Sequence, residues 1–352
     1  MIRLCKAQPT EMSAGSKDYR AVHKVLTAAA NNLDLISTKF TVTIDACLQQ
    51  LESRAWAAAL CKSVDTACAA VISSGTVAAA CSCGRHLRND LLTSVETTVS
   101  CVGKLVEMAE IRLGDPSNLA LRKQLAVMTG QVTSACKTIA LLPKSNKGCL
   151  KRRILGTFKQ MKDIMNEQEE MINDSLESPR EVSGEEEEEE KKEEAISTPS
   201  EGEKKGDFDD NDMFFDDYDF SLSLVEIETS RQCLTFAGKC TEYMKTIALL
   251  IGKHVSDRAC TPKAVESIDN LGDLMSTFSE ELNELGVCLC PPQKEKNVND
   301  TMSTLRTIMN NMWHCLLQIL EEAISEDSNE EQRTTLLEEV STQLQEMVSA
   351  IE

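Results

Sequence analysis

Cys81-Ser82-Cys83 with His86 is the place where this sequence comes nearest to a metal site, and Cys288-Leu289-Cys290 is its only natural complement. Thiolates and imidazole are the ligands zinc prefers, but structural zinc sites use Cys-x2–4-Cys knuckles closed by short turns. Both pairs here are Cys-x-Cys, so no metal is expected. Cys61/Cys68 and Cys233/Cys240 are each seven residues apart, which places each pair on one helix face, as small core residues recur. The four histidines, His23, His86, His254 and His314, fall on separate segments. None sits in a G-x-S-x-G, H-E-x-x-H or Cys-His signature, and no phosphate-cradling G-x-x-x-x-G-K-[ST] loop occurs. The expectation is a protein without catalytic residues or cofactor.

Two other groups of side chains could carry function. Ser183 and Ser200 each have a glutamate three residues on, the context acid-directed kinases favour, while Ser178 and Thr198 each precede a proline. A phosphate at any of the four would add about −1.5 to −2 charges. Phe208, Phe214, Phe215, Tyr218 and Phe220 are five of only thirteen aromatics, set among aspartates. Phe214, Phe215, Tyr218 and Phe220 read either as anchors for the helix that follows or as a linear motif for a partner's groove. The basic cluster Lys144, Lys147, Lys151, Arg152 and Arg153 is too short for a DNA-reading helix. It reads as a helix start or a weak nuclear import signal.

The elements that must position these groups are helices. Of 352 residues 41% are apolar but only 4% aromatic, with 15 Gly and 8 Pro. That composition favours an all-α fold over a sandwich or barrel. Val298, Met302, Leu305, Met309, Met312, Leu316, Ile319 and Ala323 alternate four and three apart, an a/d stripe over more than three heptads. Leu337, Val340, Leu344, Met347 and Ile351 form a second stripe, and Ile154, Phe158, Met161, Met165, Gln168 and Ile172 a third. Each stripe is either bundle core or a seam for another protein's helix, and Gln168 leans the third toward partner specificity.

Charge divides the chain. Residues 1–180 hold 23 Lys/Arg against 17 Asp/Glu, residues 181–219 hold 4 against 18, and residues 220–352 hold 10 against 22. A tract so dense in like charge cannot offset the entropy of ordering. The expected architecture is therefore two antiparallel helical bundles, 18–178 and 220–352, joined by a disordered acidic linker at 179–219, with a flexible segment at 1–17. A net charge of −20 argues against direct nucleic-acid binding. The uncharged stretch from Thr66 to Gly84 is rich in Ala, Ser, Thr and Cys and is not expected to enter a membrane. Fifteen cysteines without a secretory leader imply a reducing compartment.

Three passages resemble a known family, the cyclin-D-binding proteins also called GCIP or maternal-Id-like. Leu142-Pro143-Lys144-Ser145-Asn146-Lys147, followed by the helix through Phe158–Asp163 and Glu169–Met171, is similar to the family's Pro–Asn-Lys turn and acidic helix. The acidic tract ending in aromatics is the second. Ala237-Gly238-Lys239-Cys240, Asp269-Asn270-Leu271-Gly272-Asp273-Leu274 and Leu282–Leu285 ahead of Pro291-Pro292 make up the third. The resemblance implies an all-helical, non-enzymatic regulator of nucleus and cytoplasm. Its partners would be D-type cyclins and helix-loop-helix transcription factors, and it would restrain the cell cycle and transcription. A vinculin/α-catenin-like cytoskeletal or junction adaptor shares the expected architecture and is the competing reading.

Overall fold

Polar caps and prolines set the helix ends. Asn118 Oδ1 accepts from the backbone N–H of Ala120 at 3.0 Å, and Thr261, ahead of Pro262, accepts from Ala264 N. Ser223 and Glu226 cap one another's backbone reciprocally, satisfying two donors that a helix start otherwise leaves open. The computed structural model describes residues 16–49, 54–82, 84–115, 117–177, 221–255, 261–324 and 330–349. Within them lie nine helices and no strand: α1 (Ser16–Gln49), α2 (Arg54–Cys81), α3 (Arg85–Gly114), α4 (Leu119–Ala140), α5 (Asn146–Glu177), α6 (Leu224–His254), α7 (Pro262–Cys288), α8 (Glu295–Ile324) and α9 (Glu330–Ser349). The all-α expectation holds. The acidic tract expected at 179–219 lies outside the described residues, as do residues 1–15.

Two hydrophobic cores form. The first joins α1 to α4 through Leu26, Leu33, Phe40, Leu91, Leu105 and Leu125, all buried. The second contains Tyr243, Met244, Phe278, Met309 and Leu316 from α6, α7 and α8, and takes Leu150, Ile154 and Met161 from α5. Here the structure differs from the grouping expected from the sequence. α5 precedes the acidic tract in the chain but packs with the helices that follow it, because its apolar face is closed by α6 and α7. The divide between the cores falls near the turn at 141–145. Cys149 belongs to the first core and Leu150 to the second.

The α8 stripe is core. Leu305, Met312, Leu316 and Ile319 are fully buried, and Val298 and Met309 nearly so. Gln168 is only 3% exposed, so it does not stand on an open seam. Past it, Ile172, Leu222 and Ile227 make a small third cluster, where Leu222 N donates to Ser175 Oγ at 2.7 Å. This contact clamps together the two ends from which the acidic tract departs. In α2, the segment Ala59–Cys81 is long and apolar enough by composition to cross a membrane, with mean hydropathy 1.4 and a third of it buried in the fold. Its buried side, Leu60, Val64, Ala67 and Val71, is part of the first core.

Candidate functional site

The first turn of α3 starts at Gly84, whose extended backbone has no side chain to cap the helix. The cap comes from α7. Asp269 Oδ2 accepts from Arg85 N at 2.6 Å and Oδ1 from His86 N at 3.3 Å. A carboxylate against these open N–H groups also faces the positive end of the helix dipole.

Two glycines admit this approach. A Cβ on Gly84 would sit 2.5 Å from Asn146 Oδ1, and one on Gly272 would sit 2.6 Å from the His86 ring. His86 Nε2 donates to the Asp269 carbonyl at 2.9 Å and lies 3.1 Å from Asp273 Oδ1. Both partners are acceptors, which fixes the proton on Nε2. Arg85 also pairs with Asp273, but both groups are about half exposed, so the pair adds roughly 0–1 kcal/mol.

Helix α5 closes the junction. Arg153 approaches Asp90 of α3 at 3.6 Å and donates to Ser276 of α7 at 3.2 Å. Cys149 donates to Asp90 at 3.4 Å. Burial, and then the Asp90 charge, push the Cys149 thiol up to about 12, so it is no thiolate nucleophile at neutral pH. Lys147 Nζ donates to the carbonyls of Gly252 at 3.1 Å and Val255 at 2.6 Å, neutralising the C-terminal end of α6. Tyr19 of α1 donates to Pro143 O at 2.9 Å.

What remains open between His86, Asn146, Cys149, Arg153, Asp269 and Gly272 is a cavity of about 10 Å³. That is room for about one water, against the several hundred Å³ a small-molecule site needs. The junction is thus a polar lock between two cores. Its chemistry is helix capping and charge pairing.

The residues singled out from the sequence fall as follows. His86 meets aspartates of α7. Cys288 and Cys290 lie at the far end of that helix, about 28 Å along its axis from Asp269, so they are not brought to His86. Cys83 is outside the described residues. Among the described residues no cluster of His, Cys, Asp and Glu is placed to hold a metal ion. Cys68, Cys233 and Cys240 do turn toward the cores, and burial pushes their thiols up to about 11, 11 and 12. Cys61 instead is exposed, because it stands one residue past Leu60, about a quarter-turn off the buried stripe of Leu60, Val64, Ala67 and Val71.

The basic cluster is largely engaged. Lys147 and Arg153 hold the junction, Lys151 rests beside Gly252, and Arg152 and Lys144 face solvent. The four phosphorylation candidates, Ser178, Ser183, Thr198 and Ser200, and the aromatics Phe214, Phe215, Tyr218 and Phe220 lie outside the described residues. Sequence reasoning missed the Asp269–Arg85 cap. Its signal was a glycine at a helix start that lacked any capping side chain of its own.

Two of the passages that carried the family resemblance, the Pro143–Lys147 turn and Asp269–Leu274, meet at this lock. Residues 38–174, from the middle of α1 to near the end of α5, match the family model described as Grap2 and cyclin-D-interacting, N-terminal. No curated protein matches the chain. The resemblance to the cyclin-D-binding family is thus joined by an independent match, in which residues 38–174 of this chain are similar to the N-terminal region of the Grap2 and cyclin-D-interacting family.

Proposed function

We propose that this protein is a non-enzymatic binding protein that takes a D-type cyclin as partner and thereby restrains cell-cycle progression and transcription. The observation that carries the reading is the match of residues 38–174 to a family described as cyclin-D-interacting. The junction geometry supports it, since a cavity of about 10 Å³ has no room for a metabolite. Helix-loop-helix transcription factors form a second class of partner, recognised through apolar helical faces. The chain acts in nucleus and cytoplasm, and Ser178, Ser183, Thr198 and Ser200 are phosphorylated to tune the acidic tract. Phe214, Phe215, Tyr218 and Phe220 form a linear motif at its end.

Affinity capture of the full chain from dividing cells tests the reading, with the captured proteins and the phosphosites identified by mass spectrometry. D-type cyclin and helix-loop-helix factors are the expected captures. Recovery of F-actin or junction proteins in their place would favour the cytoskeletal adaptor reading and overturn this one.

A further inference from the structure

Helix α5 carries its charge in two blocks. Residues 116–162 contain ten Lys and Arg and no Asp or Glu, and the first half of α5 holds six of the ten. Past Lys162 the sign reverses. Asp163, Glu167, Glu169, Glu170, Asp174 and Glu177 follow with no cation among them, and all six are exposed. Contacts on both sides fix which way the basic half turns. Arg153 and Gln160 meet Ser276, Ser279 and Asn283 of α7, while Lys151 and Phe158 meet Gly252 and Lys245 of α6. Arg152, Lys159 and Lys162 lie between those two edges, on the side away from the core residues Ile154 and Met161, and are exposed. None of the three has an ion pair among the described residues. The α7 side chains on that edge are uncharged, and on α6 Glu242 is taken by Lys245. Asp163 marks where the basic half ends.

The acidic tract departs from the other end of the same helix. The hydrogen bond from Leu222 N to Ser175 joins its two bases, so both ends leave beside the acidic half of α5. Residues 181–219 hold 4 Lys/Arg against 18 Asp/Glu, and Glu185–Glu190 is an unbroken run. Like charge disfavours a path along Glu167–Glu177, and opposite charge is first met at Lys162. Lys162 lies about 22 Å and Arg152 about 38 Å along the axis from Glu177. Glu185 to Glu190 stand 8 to 13 residues past Glu177, which an extended chain spans in about 27–44 Å. The run and the basic half match in reach and in sign.

We infer that the chain's own acidic tract, through Glu185–Glu190, docks along Arg152, Lys159 and Lys162 on the outer side of α5. Ion pairs at an exposed site are individually weak. A tethered segment, however, is present at an effective concentration of about 1 mM, so a weak contact is still populated. The docked tract covers the basic half of α5 and withholds it from acidic partners, and it is released as salt screens the pairs. The inference needs no partner protein, and so stands apart from the cyclin reading.

The test uses the full chain at low ionic strength. A water-soluble carbodiimide, which joins lysine amines to carboxylates in contact with them, is the probe, and mass spectrometry maps the joined residues. Links from Glu185–Glu190 to Lys159 and Lys162 within one chain are expected. They should fade at about 0.5 M NaCl, where the screening length is about 4 Å. Links shared evenly with the exposed Lys24, Lys39 and Lys123 of the first core would overturn the inference. So would links formed only between copies in a mixture of isotopically light and heavy chains, which would name a second copy as occupant. The second arm uses Arg152→Gln with Lys159→Gln and Lys162→Gln, uncharged substitutions that an exposed helix position accepts. Glutamyl endopeptidase should cut the Glu185–Glu190 run about threefold faster or more in this variant than in the parent at the same salt. An equal rate with unchanged melting would overturn the inference. Should the variant's melting change, the linking pattern of the parent decides.

Discussion

Asp269 caps the helix that begins at Arg85, across 184 positions of sequence, with its Oδ2 2.6 Å from the Arg85 backbone nitrogen. This contact makes the start of α3, in the first core, depend on α7, in the second. Removing the carboxylate in Asp269→Ala should cost about 1–2 kcal/mol, the usual worth of a cap. Asp269→Asn keeps an acceptor oxygen and should lose less. Urea denaturation of the two variants measures the difference, and equal losses would contradict the capping role.

Gly272 lies where the His86 ring leaves no space for a methyl group. Gly272→Ala should destabilise by about 1–3 kcal/mol from overpacking, although alanine is the better helix former by about 1 kcal/mol. In a His86→Ala background the crowding disappears and the same substitution should become neutral or stabilising. A thermal-melt double-mutant cycle reads the coupling; additive effects would show that the ring is not the obstacle.

His23 is 2% exposed in the first core. Burial first, and then the Lys144 charge, hold its imidazole below the ordinary value of 6.5. The unfolded chain therefore binds the proton more readily. Stability from this residue is fully present above pH ~6.5 and falls as pH drops below it toward the folded value. His23→Asn should flatten the loss of stability between about pH 7 and 5, as followed by urea midpoints. A variant with an unchanged pH slope would contradict the assignment.

Leu305 and Leu316 are fully buried on α8, so Leu305→Ala and Leu316→Ala should each cost ~2–5 kcal/mol through lost burial and the cavity left behind. Leu249, on α6 and 72% exposed, provides the contrast: Leu249→Ser should stay within about 0.5 kcal/mol of the parent. Melting unchanged in the two α8 variants would return that stripe to the role of a partner seam.

The helices were legible because period is local. From Val298 to Ile319 every apolar residue at four-and-three spacing lies on one side of α8, and the structure buries that side. The partner of a stripe is not local. Ile154 and Met161 mark an apolar face on α5 without saying which core receives it, and the acidic tract suggested the wrong one. The lock was hidden for the same reason. Nothing in the local pattern of Asp269 or Gly272 points to Arg85 and His86, and the Cys-x-Cys spacing beside His86, which argued against a metal, gave no hint that the imidazole's partners are a carbonyl and a carboxylate. Function was legible only through resemblance, because none of the catalytic or phosphate-binding signatures sought in the sequence offered a constellation to read.

Calorimetric titration of a purified D-type cyclin into the purified full chain tests the central claim most directly. The account predicts saturable binding at one-to-one stoichiometry with a dissociation constant of about 1 μM or tighter, some 8 kcal/mol of binding free energy. Heats that remain at the level of dilution up to ~100 μM cyclin would contradict it.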